Sequence, residues 1–361
     1  MQSNEVASAA ARQPNQSLLA PAASSRGSDY SQLSRLIRQA GLMERRPGHC
    51  AWLITVTILL LAAGWAGFVL VGDSWWQLAV AAFLAIMFTQ IGFLGHEAGH
   101  KQISRSRRAS DVIGLLLGNL GIGLSYGWWV SKHNRHHAHP NTEGADPDLE
   151  IGVLAFTAHK AADSRGLPRF LFRYQAYLFF LLLFAEAVSL HVSSIRELAR
   201  RSAKNRLAES ALLCANLAGY LAVVFVVLPP VKAVVFIGVQ QGLFGLYLGV
   251  SFAPNHKGMP ILVETDQSDF LRRQVLTSRN VNGGWLTDLA LGGLNYQIEH
   301  HLFPSMPRAN LRRAQPIVRD YCRQRSLLYS QTSFISSYAQ VLSHLHSVVR
   351  SAGLARGADP T

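Results

Sequence analysis

Cysteine is scarce in this chain, and its spacing excludes several classes of protein. The three cysteines, Cys50, Cys214 and Cys322, lie far apart, so no two of them form a metal-binding spacing or a disulfide framework. A disulfide-stabilised scaffold and a thiolate metal site are therefore excluded. Any metal chemistry falls to other side chains, and free thiols indicate a reducing compartment.

Acidic residues are also few. The chain has 34 lysines and arginines against 21 aspartates and glutamates, which gives a formal net charge of +13. No nucleic-acid-reading motif accompanies this charge, so we expect no nucleic-acid partner. In a membrane protein the same excess is typical of cytoplasmic loops and of contact with anionic lipid headgroups.

The two ends of the chain contain little that could be buried. Residues 1–30 are rich in Ser, Ala, Gln and Asn, which predicts a disordered tail. No apolar stretch follows a basic start, so the pattern is not that of a cleaved signal peptide. We expect residues 348–361 to form a second tail and residues 31–347 to form one membrane domain.

Long uncharged apolar runs are what the sequence has in abundance, and runs of this length predict membrane-spanning helices. The four predicted spans are residues 51–72, 76–95, 211–228 and 231–253. They pair as two hairpins, because a short turn with Asp73 separates the first from the second and Pro229-Pro230 separates the third from the fourth. Arginines precede the first span, whereas the first turn lacks Lys and Arg, so the N-terminal side should be cytoplasmic and the turn should lie outside. The C-terminal ends of the second and fourth spans should therefore emerge on the cytoplasmic side.

Two shorter apolar stretches predict helices that lie in the membrane interface. Residues 112–130 are rich in glycine, and residues 174–191 contain Glu186 and have basic residues on both sides. Residues 254–347 are mostly polar and predict a cytoplasmic helical cap. The predicted fold is thus an all-α, multi-pass integral membrane protein.

Histidines recur in three clusters next to these apolar stretches. The clusters read HEAGH, HNRHH and QIEHH, and their histidines are His96, His100, His133, His136, His137, His300 and His301. Offsets of three and four residues bring side chains onto one face of a helix, so each cluster aims its imidazoles in one direction. With His256, which follows the fourth span, eight candidate ligands are available. An imidazole-rich set suits Fe, Zn or Cu, and eight ligands predict two metal ions.

Each signal also has an alternative interpretation. The first cluster matches H-E-x-x-H, the zinc-protease pattern, but a protease leaves the other two clusters unexplained. His256 can equally be an ordinary interfacial histidine. Candidates for supporting the ligands through hydrogen bonds are Gln297, Asn255, His139 and Glu97, together with Asp146, Asp148 and Glu299.

The three clusters and the two hairpins resemble the histidine boxes of the membrane fatty acid desaturases, over about residues 51–322. Gln297, in place of a histidine in the third box, is similar to the front-end branch, which includes linoleoyl-CoA-type desaturases. The resemblance implies a di-iron centre held by the seven box histidines and His256. It also implies that the protein uses O2 and two electrons to introduce a double bond into an acyl chain carried by CoA or by a lipid.

Neither end of the chain carries the HPGG motif of a fused haem domain. The expected electron donor is therefore a separate partner, such as ferredoxin or a flavin-linked reductase. The same resemblance leaves a di-iron hydroxylase of an alkyl chain or carotenoid as the nearest alternative. A zinc intramembrane protease and a metal transporter without catalysis are more distant ones.

Overall fold

A computed structural model describes residues 28–150, 152–200 and 205–354 of the chain, and these residues are almost entirely helical. The α-helices are α1 (Asp29–Gln39), α2 (Pro47–Val71), α3 (Gln77–Gly99), α4 (Arg107–Leu115), α5 (Tyr126–Ala138), α6 (Ala158–Ala162), α7 (Gly166–Leu183), α8 (Glu186–Ala199), α9 (Arg206–Val227), α10 (Pro230–His256), α11 (Phe270–Leu276), α12 (Trp285–Ala290), α13 (Gln297–Leu302), α14 (Arg308–Gln324) and α15 (Phe334–Ser351). A π-helical segment, Leu116–Gly121, continues α4, and a 3-10 turn, Leu294–Tyr296, precedes α13. Within the described ranges, the sheet consists of two short parallel strands, β1 (Asn280–Val281) and β2 (Gln331–Thr332). The predicted mostly helical architecture is confirmed.

Four helices, α2, α3, α9 and α10, are long and apolar enough to cross a membrane, and they correspond to the four predicted spans. Their bounds differ from the predicted ones by a few residues. Two of these helices begin at a proline, α2 at Pro47 and α10 at Pro230, because proline fits the first helical turn. The second helix of each hairpin runs past the predicted end and carries a histidine, His96 in α3 and His256 in α10, within its last turn.

The spanning helices approach one another closely. In α2, Gly64 faces α3, where an added Cβ atom would lie 2.8 Å from Leu84 and 2.9 Å from Phe83. The turn between these helices is closed by Gln77, whose amide donates hydrogen bonds to the carbonyl oxygens of Phe68 (2.7 Å) and Gly72 (2.9 Å). These contacts fix the hairpin that carries the first histidine cluster.

The two stretches predicted as single interfacial helices are each broken. Residues 112–130 are divided among α4, the π-helical segment and α5, with a bend of 113° between the two helical arms. Residues 174–191 are divided between α7 and α8, which meet at 84°. The second break fits against α10 at Gly245, where a Cβ atom would lie 2.7 Å from the backbone nitrogen of Ala187. Tertiary contact of this kind bends the chain where apolar patterning alone indicated a continuous helix.

The polar cap extends beyond the predicted limits of residues 254–347. Residues 1–27 of the predicted N-terminal tail lie outside the described residues, but α1 begins at Asp29, inside that segment. Its carboxylate pairs with Arg325 (3.0 Å) and Arg272 (3.3 Å). Leu33 and Ile37, one helical turn apart, are fully buried in the cap core. α1 is therefore part of the cap and not a tail.

The C-terminal boundary also differs. Helix α15 continues to Ser351, because Val348 and Val349 are buried in a small core with Phe172 of α7. The predicted start of a tail at residue 348 is thus wrong, and residues 355–361 lie outside the described residues. The α15 helix also donates the Tyr338 hydroxyl to the Val250 carbonyl (2.8 Å), which joins the cap to α10.

A buried carboxylate joins α9 to the break before α5. Glu209 is 2% exposed, and its Oε2 atom accepts hydrogen bonds from the Ser125 hydroxyl (2.6 Å), the Gly127 amide (3.2 Å) and the Asn119 side chain (3.4 Å). Each of these donors belongs to the segment that turns the chain into α5. Glu209 therefore orients the helix that carries the second histidine cluster.

We expect Glu209→Ala to lower the free energy of unfolding by about 3 kcal/mol, because buried donors lose their acceptor. Thermal unfolding of the detergent-solubilised protein measures the change. Glu209→Gln is the matched control, since it keeps an acceptor oxygen, and it should lose clearly less. An alanine variant as stable as the wild type would contradict this role of Glu209.

Candidate metal centre

Four helices bring the predicted ligands to one end of the helical bundle. His96 lies in the last turn of α3 and His100 directly follows that helix, while His256 ends α10. The second cluster lies along α5, and the third lies on the short helix α13. The histidines of remote segments therefore meet at the point where α3 and α10 end.

Five of the histidines form one group whose ring nitrogens lie within 4.8 Å of one another. They are His96, His100, His133, His137 and His300. The Nε2 atom of His133 is central, at 3.1 Å from that of His96, 2.9 Å from that of His100 and 3.0 Å from that of His137. One imidazole nitrogen offers either one hydrogen or one lone pair, so it cannot form three hydrogen bonds at once. Nitrogens bound to one metal at about 2.1 Å lie at such separations from each other.

A second group contains His136, His256 and His301, whose ring nitrogens also lie within 4.8 Å of one another. The Nε2 atoms of His136 and His256 are 3.3 Å apart. The Nε2 atom of Gln297 lies 2.8 Å from the His256 Nε2 atom, so the glutamine faces the same point as the three histidines. The structure thus divides the eight predicted histidines into a group of five and a group of three, with Gln297 beside the smaller one.

The donor sets fit metal ions. Buried polar atoms normally have partners, yet the Nε2 atoms of His300 and His301 are buried and have no hydrogen-bond partner. Burial lowers the pKa of His300 to about 3 and that of His301 well below its usual value, so both imidazoles are neutral, as metal ligands must be. Neutral nitrogens that converge without protons between them are suited to Fe, Zn or Cu.

Several ligands are held by their other ring nitrogen. The carboxylate of Asp146, which is fully buried, lies 3.0 Å from the Nδ1 atom of His136. The backbone carbonyl of Thr277 lies 2.9 Å from the Nδ1 atom of His256. Gln274 accepts from the Nδ1 atom of His301 (2.9 Å) and donates to the backbone carbonyl of His137 (3.0 Å). Such contacts fix the tautomer and the orientation of each ring.

Two supporting residues, Gln274 and Arg279, could not be predicted from local sequence patterns. Gln274 lies in the amphipathic helix α11, and nothing in its local pattern distinguishes it from a surface glutamine. Arg279 is fully buried and donates to the carbonyls of Pro254 (2.9 Å) and Lys257 (3.0 Å), at the end of α10. It thereby satisfies backbone acceptors next to His256 that the helix itself leaves free.

The residues predicted to support the ligands have different positions. Asn255 donates to the Oε1 atom of Gln297 (3.3 Å), so both lie beside the smaller group. Glu97 is buried but pairs with Arg308 (3.2 Å) instead of a histidine. The prediction for His139 is wrong, because α5 ends at Ala138 and the His139 side chain is exposed.

A cavity of about 210 Å³ adjoins both histidine groups. His96, His133, His136, His256 and Gln297 form one side of it. The remaining walls are mostly apolar and come from α3, α5, α7, α8 and α10. Leu183, Leu190, Leu248 and Phe252 are among these apolar lining residues. The metal groups thus face an interior space that suits an alkyl chain.

Comparison with known proteins places this site in a family. Residues 73–333, which include all three histidine clusters and His256, match the family model described as fatty acid desaturase. The chain belongs to the fatty acid desaturase family. The predicted resemblance is confirmed.

Curated relatives of this desaturase-family protein carry names of the same kind. It is 34% identical over 286 residues to the acyl-lipid (9-3)-desaturase of Physcomitrium patens, and this alignment covers 76% of this chain and 54% of that protein. The match to a Delta(8)-fatty-acid desaturase of Helianthus annuus is 28% identical and covers 88% of this chain and 72% of that protein. The match to the Delta(6)-fatty-acid desaturase fat-3 of Caenorhabditis elegans is 31% identical and covers 76% of this chain and 65% of that protein.

In this desaturase-family protein, Gln274→Leu should lower metal affinity about ten- to a hundredfold, because His301 loses the acceptor that orients it. Metal content after dialysis against graded chelator, measured by plasma mass spectrometry, reports the change. Gln324→Leu, at an exposed glutamine at the end of α14, is the matched control and should retain wild-type metal. Equal retention in both variants would mean that Gln274 does not support a ligand.

Proposed function

We propose that this protein is a membrane acyl desaturase that holds two iron ions and introduces a double bond into a fatty acyl chain. The observation that carries the proposal is the apolar cavity, one wall of which consists of the histidine groups. An alkyl chain in this cavity lies beside both groups. Family membership and the names of the relatives support the same reaction class.

The proposed ligands are the box histidines and His256, divided as the two groups are. Gln297 stands next to the smaller group, where its side chain can bind directly or through water. Iron bound there supplies the activation of O2 that removal of hydrogen from an unactivated C–C bond requires. The reaction consumes O2, two electrons and two protons, and it converts a CH2–CH2 pair to CH=CH while two water molecules form.

The residues around the ions have two tasks. The first is positioning, because the methylenes of an acyl chain hardly differ in reactivity and the bond that reacts is the one held nearest the metal. The second is the exclusion of bulk water, which the buried apolar walls achieve. Each buried methylene contributes about 0.8 kcal/mol to binding, so the cavity can hold the chain without polar contacts along it.

The cytoplasmic side is the proposed side for the active site. The turn between α2 and α3, at the opposite end of α3 from the histidines, has no Lys or Arg. The histidine end carries the cap, on which Arg35 and Arg38 of α1 and Arg312 and Arg313 of α14 are exposed. This distribution follows the positive-inside rule. Ferredoxin or a flavin-linked reductase is the proposed electron donor, and residues 31–347 are the proposed desaturase domain, together with the adjoining ends of α1 and α15.

The zinc-protease alternative requires Glu97 to act as a general base on a metal-bound water. Glu97 is instead buried, at 3% exposed, and paired with Arg308. The second and third clusters are also within ligand distance of the first. The proposed di-iron site uses all of these residues, whereas the protease would use only the first cluster.

We expect His301→Ala and His137→Ala to abolish desaturation while the protein still inserts into membranes, because each removes a ligand from one metal group. The measurement is the fatty acid profile of a host that expresses the variant, with iron content of the purified protein. Gln297→His should have a milder effect, since imidazole can replace the amide.

The control is His159→Ala, whose side chain is exposed in α6 and should leave the products unchanged. Wild-type turnover in His301→Ala would contradict the ligand assignment. A product that has gained oxygen, instead of losing two hydrogens, would indicate the hydroxylase alternative.

A further inference from the structure

One carboxylate in the cavity has no partner that explains its position. Glu186 is the first residue of α8, at the break between α7 and α8, and it lines the cavity together with Leu183 and Leu190. Among the described residues, no hydrogen bond or ion pair joins its side chain to another group. A carboxylate on an apolar cavity wall is costly unless it has a partner.

The position of Glu186 at a helix N-terminus does not account for this cost. Acidic side chains interact favourably with the first turn of a helix, but this interaction leaves the carboxylate oxygens of the half-buried Glu186 able to accept hydrogen bonds from a ligand. The backbone here is fixed independently, because Gly245 of α10 packs against the nitrogen atoms of Glu186 and Ala187. The carboxylate is therefore available for a ligand.

A cation lines the same cavity. Lys132 lines the cavity together with Glu186, yet among the described residues the two side chains form no ion pair with each other. Lys132 instead pairs with Asp148, which also lines the cavity and lies 3.4 Å from the His136 Nδ1 atom. An ammonium group has three hydrogens, so Lys132 can donate a further hydrogen bond into the cavity.

The cavity thus presents an acceptor, Glu186, and a donor, Lys132, separated by a gap. A ligand fits this pair if it carries a carbonyl oxygen and, near it, an N–H or O–H group. The rest of the cavity takes an apolar chain. Acyl carriers have this combination: a thioester of CoA has amide N–H groups beyond its carbonyl, and a monoacyl phospholipid has a glycerol hydroxyl beside its ester.

We propose that Glu186 and Lys132 bind the polar linkage of the acyl substrate inside the cavity, next to the metal groups. This inference rests on the proposed desaturase function and names the part of the substrate that the cavity recognises. The carbonyl accepts from Lys132, and the neighbouring N–H or O–H donates to Glu186. Because Lys132 immediately precedes His133, the polar linkage is held close to the reacting bond.

Equilibrium binding to purified protein tests the proposal without turnover. Radiolabelled stearoyl-CoA and 1-stearoyl-lysophosphatidylcholine are the two probes, and the carrier whose affinity depends on Glu186 is the source of the linkage. Glu186→Gln should raise the Kd of that probe about tenfold, because the charged acceptor is replaced by a neutral amide oxygen that accepts a weaker hydrogen bond. Glu186→Asp should restore part of the affinity.

The control is Glu264→Gln, at an exposed carboxylate outside the cavity lining, which should leave both Kd values unchanged. A second measurement uses the wild type alone. Octadecane, which has the alkyl chain but no polar linkage, should displace the radiolabelled probe much more weakly than the unlabelled acyl ligand does. Equal competition, or unchanged Kd values in Glu186→Gln, would overturn the proposal. A lower kcat with unchanged Kd would also overturn it and would indicate proton transfer.

The outcome is separable from the proposed function. If the wild type desaturates acyl chains and Glu186→Gln does so with the same KM, recognition by Glu186 is wrong and the desaturase assignment stands. If the wild type binds acyl probes but yields an oxygenated product, the linkage site stands and the reaction class changes. Absence of acyl binding in the wild type would overturn both.

Discussion

The convergence of neutral imidazoles is the constraint on which the rest of the structure depends. Around the Nε2 atom of His133, three other ring nitrogens lie within 3.1 Å, although none can share a proton with all the others. Lone pairs gathered in this way repel one another unless a cation lies between them. The helices that carry them must therefore be held in place by other contacts: the Gly64 approach in the first hairpin, Glu209 before α5 and Arg279 at the end of α10.

The elements outside the family match serve this requirement. The match covers residues 73–333, whereas α1, α2 and α15 lie beyond it. α1 packs into the cap core that also contains Leu302 of α13, and Tyr30 donates its hydroxyl to the Leu302 carbonyl (3.0 Å). α15 contacts α7 and α10, two of the helices whose residues line the cavity. The region that matches the family thus packs against helices from outside the match on both sides.

Local patterns made much of the site predictable. The offsets within each histidine cluster fix which side chains share a helical face, and the uncharged runs fix four helices. Contacts between remote segments could not be predicted from local sequence patterns. Gln274 has no local distinction, because its two partners, His301 and the His137 carbonyl, come from other helices. His139 lies next to the second cluster along the chain, and only the fold shows that its side chain is exposed.

The order of the three histidine clusters along the chain has a consequence for biosynthesis. The first cluster leaves the ribosome with the first hairpin, and the third follows only after both hairpins have been translated. During that interval the early imidazoles lack most of their companions, so a nascent chain cannot complete either metal group. Completion of both histidine groups is therefore a late step of maturation, because a polypeptide truncated before His300 and His301 lacks one member of each group.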